Sequence, residues 1–375
     1  MEQLKAIETL LKEQIARVER LKEGAQLTDY SSLEKIVVGT IAGDGIGPVI
    51  MEACTEILKK LLKEEIEAGK IELKPIEGLT IENRIAKMQT VPDDVLAEIK
   101  TCNILLKGPT TTPGKGDNLP NIESANVTLR RELDLFANVR PVVIPDKNID
   151  WIFYRENTEG EYALGSRGIE IGDDIAMDFK VTTTVGTERI ARAAFEYAKA
   201  NGNKNVSIVT KANIMKKTDG KFLGICQDIA KEYPEIKTDD WYVDIMAANL
   251  VNDNINSNFN VFILPNLYGD IITDEAAQIQ GGVGTAGSAN IGGRYAMFEA
   301  IHGSAPRMVA DGIAHYANPS SLLRAAEMML RHIGMVTKAH SLAKALDKAA
   351  NELVLPGDGT GNTAKDFTEF MIKVL

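Results

Sequence analysis

The chain has 375 residues, of which 44% are hydrophobic and 25% are charged, so it is long enough for two domains or for one large α/β unit with a subdomain. Its formal net charge of −11 argues against nonspecific nucleic-acid binding, although local arginines can still bind a small anionic substrate. The three cysteines form no CxxC pair, and neither an apolar signal core nor a run of the roughly 20 apolar residues of a membrane helix is present. We therefore expect a cytoplasmic protein with no disulfide frame, membrane span or nucleic-acid partner.

The first predicted element is an amphipathic helix over residues 1–23. Three heptads are marginal for an independent coiled coil, so we expect this helix to dock on its own subunit or on a partner subunit. Its apolar residues fall close to a heptad spacing: Leu4, Ile7, Leu11, Ile15, Val18 and Leu21.

A buried strand is predicted next, at 35–41, and is followed by glycines at 43, 45 and 47 and a helix at 49–62. Because this GxGxG spacing departs from the GxGxxG dinucleotide fingerprint, a tight strand-to-helix turn is the favoured interpretation.

The remaining pattern alternates strands with helices and predicts an α/β fold with a largely parallel sheet. Long polar loops are predicted at 110–123 and 281–294, and loops of that length are usually functional. The further predicted strands are 71–75, 103–107, 149–154, 206–210, 241–243 and 261–264. The further predicted helices are 91–100, 124–133, 188–200, 221–233, 319–334 and 341–352.

Two aspartates four residues apart, Asp270 and Asp274, follow the apolar run at 260–265. We interpret Gly269 as the turn into a helix, which places both carboxylates on one helical face at the end of a strand. Oxygen ligands of this kind suit Mg²⁺ or Mn²⁺. An ordinary acidic first turn of a helix would show the same spacing, which by itself does not separate the two interpretations.

Polar and basic residues form a second constellation. Ser124, Asn126 and Arg130 share one predicted helix, with the last two on one face, and Arg140 and Arg155 border predicted strand ends. Guanidinium groups that converge would clamp a polycarboxylate, because their planar fork matches carboxylates bidentately. Each arginine taken singly is more often part of a surface salt bridge.

Candidates for acid–base chemistry and for a nucleotide site complete the pattern. Tyr162 and Lys211 can act as acid and base, although a tyrosine alone is more often a packed aromatic. Asp244 follows a predicted strand and is either a third metal oxygen or an N-terminal helix charge. In the loop 299–306, backbone amides can hold an adenosine phosphate and His302 can lie against an adenine, unless the histidine is satisfied by the backbone.

Six motifs together resemble the β-decarboxylating dehydrogenase family, which contains isocitrate, homoisocitrate, isopropylmalate and tartrate dehydrogenases. They are Gly43-Asp-Gly-Ile-Gly-Pro48, Leu133-Asp-Leu-Phe-Ala-Asn-Val-Arg-Pro141, Arg155-Glu-Asn-Thr-Glu-Gly160, Lys211-Ala-Asn-Ile-Met215, Asn266-Leu-Tyr-Gly-Asp270 and His302-Gly-Ser-Ala-Pro306.

The resemblance implies a two-domain isocitrate/isopropylmalate dehydrogenase-like α/β fold that is not Rossmann, with an extra N-terminal amphipathic helix, and an obligate dimer in which a second copy completes each site. The implied domains are a large cofactor-binding domain over 33–135 and 281–375, a small domain with a dimer clasp over 136–280, and an N-terminal extension over 1–32.

The resemblance also implies the role of each site residue. Asp270 and Asp274, with Asp244 lent by the second subunit, resemble the Mg²⁺ or Mn²⁺ ligands. Tyr162 resembles the proton donor to the carbon that loses CO₂, and Lys211 resembles the base-side lysine, also contributed across the dimer. Ser124, Asn126, Arg130, Arg140 and Arg155 resemble the residues that bind the substrate. The implied cofactor-binding residues are Thr111, Thr112, Asn213, Glu299, His302, Gly303, Ala305, Arg307 and Asn318.

Substrate and nucleotide are predicted from particular positions. Ser124 and Asn126 favour the γ-carboxylate of isocitrate, because they would be left unpaired against the isopropyl group of 3-isopropylmalate. Homoisocitrate is the second choice, and the loop 114–120 is longer than expected for isocitrate enzymes. NAD is favoured over NADP because the stretch 354–361 offers no Tyr or Arg and so resembles the NAD members of the family, although Arg307 could accept a 2′-phosphate. A non-catalytic regulatory subunit is disfavoured, because Lys211, Tyr162 and all three aspartates are present.

Overall fold

The computed structural model describes residues 2–24, 27–114, 119–120, 122–165, 167–202, 204–282 and 286–375. The helices are α1 (Glu2–Lys22), α2 (Gly47–Leu61), α3 (Lys63–Glu67), α4 (Ile81–Lys87), α5 (Asp93–Ile99), α6 (Ala125–Glu132), α7 (Thr184–Ala200), α8 (Thr218–Ala230), α9 (Val243–Leu250), α10 (Asn266–Gln280), α11 (Pro306–Ala310), α12 (Ser320–His332), α13 (Val336–Glu352) and α14 (Ala364–Val374). The strands are β1 (Ile36–Ile41), β2 (Ile71–Pro75), β3 (Ile104–Lys107), β4 (Ala137–Ile144), β5 (Ile149–Glu156), β6 (Ile169–Ile171), β7 (Ile175–Met177), β8 (Val206–Thr210), β9 (Thr238–Tyr242), β10 (Val261–Leu264), β11 (Gly287–Ile291) and β12 (Ala296–Ala300).

The chain forms two compact units. Unit A comprises Met1–Gln26 and Leu135–Gln280, and unit B comprises Leu27–Asp134 and Gly281–Leu375. In unit B the strands follow the order β2-β1-β3-β12-β11, parallel except for the antiparallel pair β11–β12. The predicted α/β class with a largely parallel sheet is confirmed.

In unit A the strands follow the order β4-β5-β10-β8-β9, and β4 is antiparallel to β5 while the other pairs are parallel. A separate hairpin is formed by β6 and β7. β8 and β10 are buried along their whole length, because a parallel sheet covered on both faces needs apolar residues on both. The core beside them contains Phe153 stacked on Phe262, with Trp151 edge-on to both.

The glycines after β1 form the tight turn that the sequence predicts. Gly43 and Gly45 have φ of +74° and +62°, and a Cβ on Gly45 would lie 1.9 Å from the carbonyl oxygen of Ser304. Inside the turn, the carboxylate of Asp44 accepts the backbone amides of Ile81 at 2.8 Å and Thr111 at 2.6 Å. The turn therefore fixes two further loops of unit B.

The N-terminal helix packs on α7 within unit A, so docking on its own subunit is confirmed. The predicted heptad face is wrong at Leu11 and Ile15, which are exposed, whereas its members Ile7, Val18 and Leu21 are half-buried. Leu10 is buried and Arg17 is mostly buried on the inward face instead. Positions 10 and 17 lie two helical turns apart on one face. In this orientation Arg17 donates hydrogen bonds to Glu159 and Thr158. The spacing of apolar residues does not predict such polar contacts.

Several elements differ from the prediction. The predicted loop 281–294 contains β11, whose Gly-Ser-Ala-Asn-Ile sequence lacks a strand pattern and forms a strand by pairing with β12. Residues 283–285 of that loop, and 115–118 of the loop 114–120, lie outside the described residues. The strand predicted at 241–243 ends at Tyr242, because α9 begins at Val243. The elements that were not predicted also include β4, β6, β7, β12, α3, α4, α11 and α14. Within the described ranges, each helix is too short or too polar to cross a membrane.

Candidate active site

The predicted aspartate pair lies on α10 beside three other predicted site residues. Nη1 of Arg155 donates to Oδ1 of Asp270 at 2.5 Å, and the hydroxyl of Tyr162 donates to Oδ2 of the same carboxylate at 2.8 Å. Nη1 of Arg140 donates to Oδ1 of Asp274 at 2.8 Å, and its Nη2 lies 3.9 Å from Asp270. The structure thus brings two acids, two guanidiniums and one phenol together in unit A.

Close packing of Arg155 against α10 explains the position of Gly269. The interpretation of Gly269 as a turn before the helix is wrong, because it lies in the first turn of α10. A Cβ there would lie 2.5 Å from Cγ of Arg155, whose side chain is buried. Nε and Nη2 of Arg155 donate to Oδ1 of Asn266 at 3.0 and 2.6 Å, which orients the guanidinium toward Asp270.

Arg140 also differs from its prediction. It lies in the middle of β4, opposite Phe153 of β5, rather than at a strand end. Its mostly buried side chain reaches α10, where Nη1 donates to Oγ1 of Thr273 at 2.7 Å in addition to Asp274. The strand was missed because Pro141 in its centre is atypical of a strand interior.

The donor set of the aspartates fits a hard divalent cation. The side chains of Asp270 and Asp274 are 37% and 63% exposed, and they lie one helical turn apart, where a cation can reach both. Mg²⁺ is commonly held by one or two protein carboxylates together with substrate oxygens and water. Across the described parts of the chain no group of three His, Cys, Asp or Glu side chains suited to a metal occurs. Asp244 therefore does not join the pair within one chain, and its contribution from a second subunit stays a prediction.

Asp244 instead pairs with the predicted catalytic lysine. Nζ of Lys211 lies 2.5 Å from Oδ1 of Asp244, in the first turn of α9, and this hydrogen bond lowers the pKa of that carboxyl. Lys211 follows β8 directly, and its backbone amide donates to Oδ2 of the buried Asp219 at 2.8 Å. Asn213, two residues on, is exposed.

Lys180 is a buried cation that the sequence reasoning missed. Its Nζ lies 2.6 Å from Oδ1 of Asp219 and 3.3 Å from Glu161, and 4.3 Å from the centre of the Tyr268 ring. Burial would lower the pKa of Lys180, but the hydrogen bond and charge of Asp219 raise it above its ordinary value. Lys180 thus contacts Glu161, which precedes Tyr162, and Tyr268, which lies two residues before Asp270. It also forms an ion pair with Asp219, the acid that accepts the backbone amide of Lys211. No motif surrounds it in the sequence.

In unit B the predicted substrate helix is α6. Ser124 is its N-cap residue but makes no side-chain cap hydrogen bond. Oγ1 of Thr110 lies 3.2 Å from Oδ1 of Asn126, and Nη2 of Arg130 lies 3.2 Å from Oε1 of Glu299. The predicted shared face of Asn126 and Arg130 is confirmed by their spacing on one helix.

Glu299 anchors a buried charge cluster with Lys107, a second residue that the sequence reasoning missed. The Lys107 side chain is 0% exposed, and its Nζ lies 3.2 Å from Oε2 of Glu299, while Asn290 donates to Oε1 at 2.8 Å. Burial would raise the pKa of Glu299, but Lys107 and Arg130 outweigh it and hold that pKa at about 2. The contacts of this carboxylate are with cations and an amide of its own unit, and its predicted cofactor role is untested. A lysine that ends the apolar run 104–106 was the available signal.

The predicted nucleotide residues of unit B lie around the glycine turn and α11. Oγ1 of Thr111 and Oγ of Ser304 are 2.8 Å apart, and Oδ1 of Asn318 accepts the amide of Ser320 at 2.9 Å. Nδ1 of His302 lies 3.0 Å from the carbonyl oxygen of Gly303, and burial lowers the pKa of His302. The remaining predicted members are the N-cap residue Ala305, with φ of +46°, and the exposed Thr112, Gly303 and Arg307.

Known proteins resemble this chain over most of its length. The family model described as isocitrate/isopropylmalate dehydrogenase matches residues 37–375. The chain is 39% identical over 326 residues to "Isocitrate dehydrogenase [NAD] subunit 2, mitochondrial" of Schizosaccharomyces pombe, covering 84% of this chain and 80% of that protein. It is 43% identical over 327 residues to "Isocitrate dehydrogenase [NADP]" of Rickettsia prowazekii, covering 84% of this chain and 63% of that protein.

A solved structure with a similar fold is also named isocitrate dehydrogenase, as both sequence relatives are. The crystal structure of isocitrate dehydrogenase from Methylococcus capsulatus superimposes with a TM-score of 0.77 at 35% identity, covering 90% of this chain and 99% of that one. The resemblance predicted from the six motifs and the predicted fold are confirmed. The chain belongs to the isocitrate/isopropylmalate dehydrogenase family.

Proposed function

We propose that the chain catalyses the oxidative decarboxylation of isocitrate to 2-oxoglutarate and CO₂, with hydride transfer to NAD or NADP and dependence on Mg²⁺ or Mn²⁺. The observation that carries the proposal is the cluster in which Asp270 and Asp274 face Arg140, Arg155 and Tyr162. The relatives support it, since those named isocitrate dehydrogenase include NAD and NADP types.

The two acidic and two basic side chains of the cluster suit the binding of an anionic substrate together with a metal cation. Asp270 and Asp274 neutralise Arg140 and Arg155, so a cation and a polycarboxylate can bind together while every buried charge keeps a partner. The planar guanidiniums then match substrate carboxylates bidentately. A divalent cation held by the two aspartates would supply Lewis-acid stabilisation of charge on the substrate oxygens.

Tyr162 is the proposed proton donor. Its hydroxyl proton points at Asp270, and Arg155 lies over its ring with Cζ 5.4 Å from the ring centre. We propose that this hydroxyl donates its proton to the carbanion-like carbon left after CO₂ is lost. Lys211 and Asp244 form their own pair, and we propose that they serve the site of a second copy, with Asp244 as a further metal oxygen.

Isocitrate is the proposed substrate because of α6. Ser124 and Asn126 present a hydroxyl and an amide, and Arg130 follows one turn later on the same helix. A carboxylate satisfies these groups, whereas an isopropyl group would leave them unpaired, which a site built from polar groups rejects strongly. NAD is proposed as the oxidant because the stretch 354–361 offers no Tyr or Arg. If NADP is used instead, the exposed Arg307 is the residue that would accept its 2′-phosphate.

The test is a matrix of isocitrate, homoisocitrate and 3-isopropylmalate against NAD and NADP, each with Mn²⁺. We expect the highest kcat/KM with isocitrate, and no turnover of any of the three would refute the proposal. Asp270→Asn should lower kcat/KM by more than about 100-fold, since even indirect supports of a metal site cost 10–100-fold. The matched control is Asp253→Asn, an exposed aspartate of unit A whose partner is Lys147. An Asp270→Asn variant with unimpaired turnover would exclude the metal site.

A further inference from the structure

The N-terminal helix places a cation on one of the family motifs. Nη1 of Arg17 lies 3.2 Å from Oε1 of Glu159, and Nη2 lies 3.5 Å and 3.4 Å from the carbonyl oxygen and Oγ1 of Thr158. The Arg17 side chain is 15% exposed, although it belongs to a surface helix. Arg17 lies outside residues 37–375, the segment that the family model matches, so the family model does not include this contact.

Glu159 depends on that cation. Its carboxylate is buried, accepts the amide and hydroxyl of Thr183 at 2.8 and 2.5 Å, and packs on Gly186, where a Cβ would lie 2.5 Å from Cδ. Within the described chain, the ion pair of Glu159 is with Arg17. A buried carboxylate that loses its cation keeps the desolvation cost without the compensating attraction. Loss of Arg17 would therefore displace the Glu159 carboxylate from its present position.

A continuous hydrogen-bonded path leads from Glu159 to the candidate active site. The carbonyl oxygen of Glu159 accepts Nδ2 of Asn266 at 3.0 Å, and Oδ1 of Asn266 accepts both Nε and Nη2 of Arg155. Nη1 of Arg155 then donates to Asp270. The links at Asn266 and Arg155 are buried, so water cannot replace a partner that moves.

We propose that Arg17 is a positioning residue for the site formed by Arg155 and Asp270. By neutralising Glu159, Arg17 fixes the 155–160 segment, and Asn266 passes that position on to the Arg155 guanidinium. The proposal rests on the proposed function in one respect, namely that this site binds the metal and the substrate.

The kinetic test compares Arg17→Ala and Arg17→Lys with Arg167→Ala. Arg167 is the matched control because it also holds α1, through an exposed ion pair of 2.6 Å with Glu13, but it does not contact Glu159. We expect Arg17→Ala to raise KM for isocitrate and for Mn²⁺ about tenfold, as losses of supporting hydrogen bonds do. KM for the nucleotide should change little, because none of the predicted nucleotide-binding residues is a member of this hydrogen-bonded path. Arg17→Lys, or millimolar guanidinium added to Arg17→Ala, should restore part of the loss.

A second readout does not depend on turnover. Hydrogen–deuterium exchange of peptides covering 155–160 and 266–270, and Mn²⁺ affinity measured by calorimetry, should both change in Arg17→Ala but not in Arg167→Ala. If the wild-type chain turns over none of the substrates, the proposed function fails while these measurements still decide the role of Arg17. A variant with unchanged exchange, Mn²⁺ affinity and KM values, and only a smaller active fraction, would overturn the proposal in favour of a packing role.

Discussion

Replacement of Glu299 with glutamine would remove the negative charge from a buried cluster of unit B. Glu299 on β12 and Lys107 on β3 are direct register partners on neighbouring parallel strands, which places their side chains beside each other. Arg130 contacts the other oxygen of the carboxylate. The substitution keeps the volume of the side chain and leaves the Lys107 ammonium buried without its counterion.

The magnitude follows from the pKa of Glu299. Lys107 and Arg130 outweigh the effect of burial and lower that pKa from 4.5 to about 2, and at about 1.4 kcal/mol for each factor of ten this corresponds to about 3 kcal/mol for ionising Glu299 beside the charged Lys107. Burial lowers the pKa of Lys107 despite this pair, so the cost of burying the ammonium offsets part of that stabilisation. Glu299 is 5% exposed, so solvent screens the cluster weakly. The value agrees with the roughly 3–5 kcal/mol lost when one partner of a buried ion pair is removed.

The pH dependence has a definite sign. Because the pKa of Glu299 is lower in the folded chain than its ordinary value of 4.5, the stabilisation is complete above pH 4.5 and is lost as the pH falls toward about 2. Urea unfolding of the wild type and of Glu299→Gln should therefore differ by about 3 kcal/mol at pH 7. That difference should narrow steadily below pH 4.5.

Two further variants make the test specific. Lys107→Met combined with Glu299→Gln should lose less stability than the two single variants added together, because the double variant leaves no lysine charge buried. Glu72→Gln is the control, since Glu72 pairs with Lys35 on the surface and its loss should leave the urea midpoint nearly unchanged. A loss below about 1 kcal/mol for Glu299→Gln at pH 7 would show that the cluster does not stabilise the fold as reasoned.

Two other substitutions in unit A test the packing of the candidate site. Lys180→Met should leave the fully buried Asp219 without its cation, which should lower the free energy of unfolding by about 3 kcal/mol and reduce kcat. If the variant has the urea midpoint and the kcat of the wild type, Lys180 does not have this role. Gly269→Ala should force a Cβ against Arg155, cost about 1–3 kcal/mol and raise KM for isocitrate. Its control is Gly224→Ala on α8, where a Cβ meets open space and the change should be neutral or stabilising.

Local sequence was sufficient for the strands buried on both faces. β8 and β10 have the predicted limits, because apolar residues on both faces are what a strand needs when helices cover both sides of a parallel sheet. β2 also has the predicted limits, although it is a half-buried strand at the edge of the sheet. It was insufficient for β11, whose small and polar residues lack a strand pattern and pair with β12. Tertiary pairing, rather than intrinsic propensity, determines that strand.

The candidate site shows the same division. The spacing of Asp270 and Asp274 predicted one shared helical face, since helical periodicity is a local property. The contacts of Asp270 with Arg155 and Tyr162 follow from the order of strands in unit A, where β5 and β10 are neighbours. Their roles in binding metal and substrate stay predictions that the Asp270→Asn experiment addresses.

Buried charges were the hardest features to predict, for a physical reason. Lys107 ends an apolar strand, and a charge there requires a partner, but the sequence does not say which of 53 acidic residues provides it. The register between β3 and β12 selects Glu299, which is 192 residues away in the chain. Arg17 presents the same problem, because its position in an amphipathic helix suggests a solvated charge until the contact with Glu159 is known. A cation that lies in or beside an apolar pattern therefore signals a long-range ion pair, while the fold alone decides the identity of the acid.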